Sequence, residues 1–85
     1  MPAARRDPDY VLDEDIAALI RQVHQRRLAM KMTRRVCSDK SGLTERAIYK
    51  IESLTVVPSI DSVLRYAAAV NMRLVIETDS NDAVH

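Results

Sequence analysis

Residues 32–58 read MTRRVCSDKSGLTERAIYKIESLTVVP, and their punctuation decides the fold. Thr33 is a good N-cap, because its hydroxyl can accept from a free amide of a helix that runs over about Arg34 to Ser41. Gly42, the only glycine of the chain, sits where a left-handed residue would end that helix. Leu43 follows, and Thr44 caps a third helix over about Glu45 to Ser53. In that helix Ala47, Ile48 and Ile51 share one face, and Glu45, Arg46, Tyr49 and Lys50 point elsewhere. Two short helices thus meet at a tight turn.

Outward from this stretch the pattern stays helical. Asp13, Glu14 and Asp15 favour the positive end of a first helix over about Asp13 to Ala29. Its apolar stripe reads Ile16, Leu19, Ile20, Val23 and Leu28, with Met30 and Met32 expected in the core at the junction. Downstream, Leu54 to Val57 is a connector closed by Pro58. Ser59 caps a fourth helix over about Ile60 to Val70, with the stripe Ile60, Val63, Leu64, Ala67 and Val70 and with Tyr66 expected to pack. Asn71 is an acceptable stop.

Met72 to Thr78 is a short β-favouring run in which Leu74, Val75 and Ile76 are the apolar centre. No second strand is visible in the sequence, so its backbone groups are expected to pair with the same run of a second copy. The fold class expected is therefore all-α. It has four helices with a helix-turn-helix over 11–78, plus a C-terminal β-strand paired across a dimer. Residues 1–10 and 79–85 read as flexible tails.

Length and composition bound the function. With 85 residues the chain has room for one small domain and not for a doubly wound nucleotide-binding fold or a barrel. Apolar residues make up 47%, but Trp and Phe are absent, so aliphatic side chains must build the core. A net charge of +1 hides a strong asymmetry. Residues 1–20 carry two arginines against five acids, and residues 51–85 carry the same balance. Residues 21–50 carry nine basic side chains against Asp39 and Glu45, a local charge of +7. Such a segment suits an anionic partner, or else it is a solvated helical face.

One Cys excludes an internal disulfide, no apolar run approaches a membrane span, and Asp7 and Asp9 interrupt any signal-like start. A cytoplasmic setting without membrane contact is expected. His24 and His85 have no partner at ligand spacing, so no metal is expected. No nucleophile–base pair and no phosphate loop is visible, so neither enzyme activity nor a cofactor is expected.

A helix-turn-helix has a direct physical logic. Its second helix stands proud of the core to enter a major groove, and the first braces it across the backbone. From about Leu19 to Met72 the chain resembles the phage-repressor-type (Cro/CI-like, Xre) helix-turn-helix family. The resemblance rests on Met32-Thr33-Arg34, Gly42-Leu43-Thr44, Ile48-Tyr49-Lys50-Ile51-Glu52 and Pro58-Ser59 in register. There are departures. Cys37-Ser38 stands where the family has Leu-Ala, Ser41 where it has Leu, Arg34 where Gln is frequent, and Leu54 where Gly is usual. They weaken the expected packing of the second helix without breaking the register.

The resemblance implies that the all-α fold is a compact four- to five-helix bundle, that Glu45, Arg46, Tyr49 and Lys50 read bases, that Thr44 meets a phosphate or base edge, and that Arg34 meets a phosphate. Arg46 has the chemistry to clamp a guanine edge with two hydrogen bonds, Lys50 acts as a point charge, and Glu45 would accept from cytosine N4 or orient Arg46. Tyr49 reads equally as a packing residue. Arg27 and Glu52 are implied to form a structural ion pair between the first and third helices. Cys37 falls on a core position, where it behaves as a small hydrophobe.

The expectation is a sequence-specific regulator, a repressor in the first instance, that binds a palindromic operator in double-stranded DNA as a homodimer. Small members with a terminal strand resemble the antitoxins of toxin–antitoxin operons, which adds a cognate toxin protein as a partner to consider. The competing expectation is a protein-interaction module whose basic face docks an acidic protein.

Overall fold

The computed structural model describes residues 12–78. The expected tails, residues 1–10 and 79–85, lie outside this range, and so does Val11, the first residue of the expected domain. Four helices follow one another: α1 (Glu14–Ala29), α2 (Arg34–Ser41), α3 (Glu45–Glu52) and α4 (Ile60–Ala69). Among the described residues there is no fifth helix.

Each start is set by a side chain. Asp13 Oδ1 accepts from the Asp15 amide at 2.8 Å, Thr33 Oγ1 from Val36 at 3.2 Å, Thr44 Oγ1 from Ala47 at 3.0 Å and Ser59 Oγ from Ser62 at 3.1 Å. Three residues expected inside helices prove to be caps: Asp13 precedes α1, Ser53 follows α3 and Val70 follows α4. Gly42 closes α2 at φ 80°.

The turn after α2 is held by the two serines that replace leucine and alanine in the resemblance. The Ser38 hydroxyl donates to the Leu43 carbonyl. Ser41 Oγ accepts from the Leu43 amide at 3.0 Å and is itself buried. Hydroxyl bonds thus stand in for apolar packing at these positions, while Cys37 fills the core with no exposed surface. Leu54, where the resemblance expects glycine, adopts φ 61° while it packs against the core. A branched side chain in the left-handed region costs of order 1 kcal/mol, which its burial offsets.

The core gathers Ile20, Val23, Cys37, Ile48, Ile51, Tyr66, Ala67 and Val70 from all four helices and the α4 cap. Several expected core positions are corrected. Leu28 is 55% exposed, because the buried stripe of α1 runs Ala17, Ile20, Val23 and on to Arg27. Met30, the cap of α1, is exposed too, whereas Met32 packs against the core. On α4 the stripe is rotated: Val63, Tyr66 and Ala67 are buried, while Ile60 and Leu64 face outward. Periodicity alone does not say which of two apolar faces finds a partner.

Residues 72–78 take neither helix nor strand within the single chain. The expected strand pairing would need a second copy. No helix among the described residues is long and apolar enough to cross a membrane.

Candidate nucleic-acid interface

Glu52, the last residue of α3, organises the site from beneath. Arg27 from α1 clasps it with two bonds, Nε to Oε2 at 2.7 Å and Nη2 to Oε1 at 2.9 Å, and sends Nη1 to the Met32 carbonyl at 2.6 Å. Arg34 Nε from α2 donates to Oε1 at 3.0 Å. The Tyr66 hydroxyl from α4 donates to Oε2 at 2.7 Å. His24 Nε2 stands 3.5 Å from Oε1. One carboxylate therefore ties the three other helices to α3.

Burial alone would push the Glu52 carboxyl up, but the bonds from Arg27, Tyr66 and Arg34 outweigh it and hold the group below the usual carboxylate range. Arg27 is raised above the ordinary guanidinium value, first by its bond to Glu52. Burial, and then the bond to Glu52, pushes the Tyr66 phenol well above its ordinary range, and burial likewise raises the Cys37 thiol. All four groups keep one protonation state at neutral pH, so the network is a fixed scaffold.

On the opposite side of α3, Glu45, Arg46, Tyr49 and Lys50 are all exposed, with Thr44 at the helix start. Their spacing places 45 with 49 and 46 with 50 on adjacent ridges, one turn apart. Ile48, Ile51 and Glu52 are buried on the inner side, so the packing fixes which side chains face out. Among the described residues, Arg46 and Lys50 are in no salt bridge, and neither are the exposed Arg35 and Lys40 of α2.

Arg34 belongs partly to each side. Its guanidinium lies over the Tyr49 ring, 5.3 Å from the centroid, while its Nε holds Glu52. Tyr49, 56% exposed, is thus braced by Arg34 without being buried. Of the residues named from the sequence, the structure brings Arg27 together with Glu52 and Arg34 with Tyr49, and sets Glu45, Arg46 and Lys50 outward beside them.

The local charge shrinks accordingly. Arg27 and Arg34 spend charge on Glu52, and Arg26 Nε caps the Val70 carbonyl at 3.0 Å. Sequence reading missed Tyr66, His24 and Arg34 as partners of Glu52. Only the Arg27 pairing was implied, and by the resemblance. No group of three or more His, Cys, Asp or Glu side chains that could hold a metal occurs among the described residues.

Comparison with protein-family models, with curated proteins and with solved structures finds no match to this chain.

Proposed function

We propose that the chain is a sequence-specific regulator of transcription, a repressor that binds a palindromic operator in double-stranded DNA as a homodimer. In this reading α2 and α3 form a helix-turn-helix and α3 enters the major groove. The observation that carries it is the two-sided character of α3. Its inner side is locked through Ile48, Ile51 and Glu52, while its outer side presents Glu45, Arg46, Tyr49 and Lys50. The short turn at Gly42–Thr44 and the absence of an ion-pair partner for Arg46 and Lys50 among the described residues support the same reading.

Roles follow from chemistry. Arg46 donates two bonds to a guanine O6/N7 edge, and Lys50 serves a base or a phosphate. Tyr49 and Arg34, stacked together, line the groove wall, where the outer guanidinium nitrogens of Arg34 meet a phosphate. Thr44 anchors the helix start near the backbone.

Selection of bound duplexes from a random pool tests this. The expected enrichment is an imperfect palindrome with half-sites about 34 Å apart, one helical turn. A pool that stays random while an acidic protein is captured through the same face would favour a protein-interaction module instead.

A further inference from the structure

The Glu52 carboxylate has no room for another donor. Its oxygens offer about four lone-pair positions between them. Oε1 accepts from Arg27 Nη2 at 2.9 Å and from Arg34 Nε at 3.0 Å. Oε2 accepts from Arg27 Nε at 2.7 Å and from the Tyr66 hydroxyl at 2.7 Å. His24 Nε2 stands 3.5 Å from Oε1, beyond an ordinary hydrogen bond, on a side chain that is 30% exposed. Of the side chains gathered at Glu52, a histidine is the type whose charge changes between about pH 5 and 8.

A proton on His24 disturbs this arrangement. With a neutral imidazole, Arg27 and Arg34 already set two positive charges against one carboxylate. An imidazolium adds a third, and Arg21, one turn earlier on α1, is of the same sign. Tyr66 of α4 and Cys37 of α2 stay neutral, because both are raised by burial. One donor must therefore give way for His24 to bond. Arg27 is held by two bonds to Glu52 and a third to the Met32 carbonyl, and its side chain is 6% exposed. Tyr66 is fully buried. Arg34 makes a single bond to Glu52 from a side chain that is 41% exposed, so it is the cheapest to displace.

We propose that His24 is a positioning residue for Arg34. Protonated His24 closes onto Glu52 Oε1 in place of Arg34 Nε, and the Arg34 guanidinium turns outward beside Tyr49, where it meets a phosphate as an unshared charge. Loss of the proton returns Oε1 to Arg34, and Glu52 again offsets its charge. The consequence for DNA rests on the DNA-binding reading. The exchange at Glu52 does not, and it is measured without DNA.

The first measurement follows the arginine Nε–H signals of the full chain by NMR from about pH 8 to pH 5.5, a range that spans histidine titration while Glu52 stays ionised. The Arg34 signal is expected to move to the position of a solvent-exposed arginine as the His24 ring titrates, while the Arg27 signal holds still. In His24→Gln the Arg34 signal is expected to stay in place throughout. An Arg34 signal that ignores the His24 titration, or an Arg27 signal that moves instead, overturns the proposal.

The second measurement is the slope of log affinity against log salt at the two ends of that range, on the duplex recovered by selection. The parent is expected to steepen on acidification by up to about 0.9, the effect of one more free cation on a phosphate. His24→Gln is expected to keep one slope at both ends. Arg34→Ala is expected not to steepen, which separates an action through Arg34 from direct contact of a charged His24 with DNA. A parent slope that does not change with pH, or an Arg34→Ala slope that steepens like the parent's, overturns the proposal. A chain that exchanges partners in the NMR titration yet binds no duplex supports the exchange and contradicts the DNA-binding reading.

Discussion

The Tyr66 hydroxyl donates to Glu52 Oε2 at 2.7 Å, so α4 is bonded to the final residue of α3. The bond joins a fully buried phenol to a buried carboxylate that also holds Arg27 and Arg34. The outer face of α3 is thereby oriented by a bond made on its inner face.

Tyr66→Phe removes that donor and leaves Glu52 with one bond fewer in a buried setting. Hydrogen bonds to charged groups contribute about 1.5–3 kcal/mol, so a loss of that order is expected. Urea unfolding followed by circular dichroism checks it. A lower midpoint with an unchanged slope is the expected outcome, and an unchanged midpoint would show that Arg27 and Arg34 satisfy the carboxylate without Tyr66.

Stability should fall in acid through the same carboxylate. The folded-state pKa of Glu52 is held below its ordinary value, so its contribution is present above the unfolded value of about 4.3 and is lost as pH falls through the lowered one. Glu52→Gln is expected to be less stable than the parent at pH 7, with a smaller further loss between about pH 5 and pH 3. Thermal melts across that range measure both. Parallel curves for parent and variant would exclude Glu52 as the titrating group.

Gly42→Ala tests the turn. At φ 80° an added Cβ meets unfavourable backbone geometry and approaches Arg65 Nη1 to 3.1 Å. The arginine tip can move aside, so the backbone sets the cost, about 1–2 kcal/mol. A melting temperature equal to the parent's would mean that the turn tolerates a side chain at this left-handed position.

How far the sequence foretold this arrangement depends on the range of the interaction. The caps Thr33, Thr44 and Ser59 and the left-handed Gly42 were legible, because a cap is a bond between residues two or three apart. The outward set on α3 was legible because Ala47, Ile48 and Ile51 mark the opposite side. Leu28, Met30 and Ile60 were misassigned to the core, since their hydropathy carries no information about whether a neighbour covers them. The partners of Glu52 at Tyr66 and Arg34 lie 14 and 18 residues away and come together only once the helices pack.

If the proposed DNA-binding reading holds, Arg34 and Lys50 should differ in how they contribute to affinity. Each phosphate neutralised by a free cation adds about 0.9 to the slope of log affinity against log salt. Lys50→Ala is expected to reduce the slope by about that amount if it serves a phosphate. Arg34→Ala should reduce it less, because Glu52 already offsets its charge. Titrations from 50 to 200 mM salt, the range over which such slopes are read, compare them. Equal reductions would place Arg34 free of Glu52 in the complex.

The most direct test of base reading by α3 compares two double variants on the duplex recovered by selection and on a scrambled one. Arg35→Ala with Lys40→Ala removes two exposed cations of α2, and Arg46→Ala with Lys50→Ala removes two of α3. The first should weaken both duplexes about equally and preserve their ratio. The second should lose at least about tenfold in that ratio, at about 1–3 kcal/mol per bidentate base contact. A specificity ratio that survives in the Arg46, Lys50 variant would contradict the assignment of α3 as the element that reads DNA.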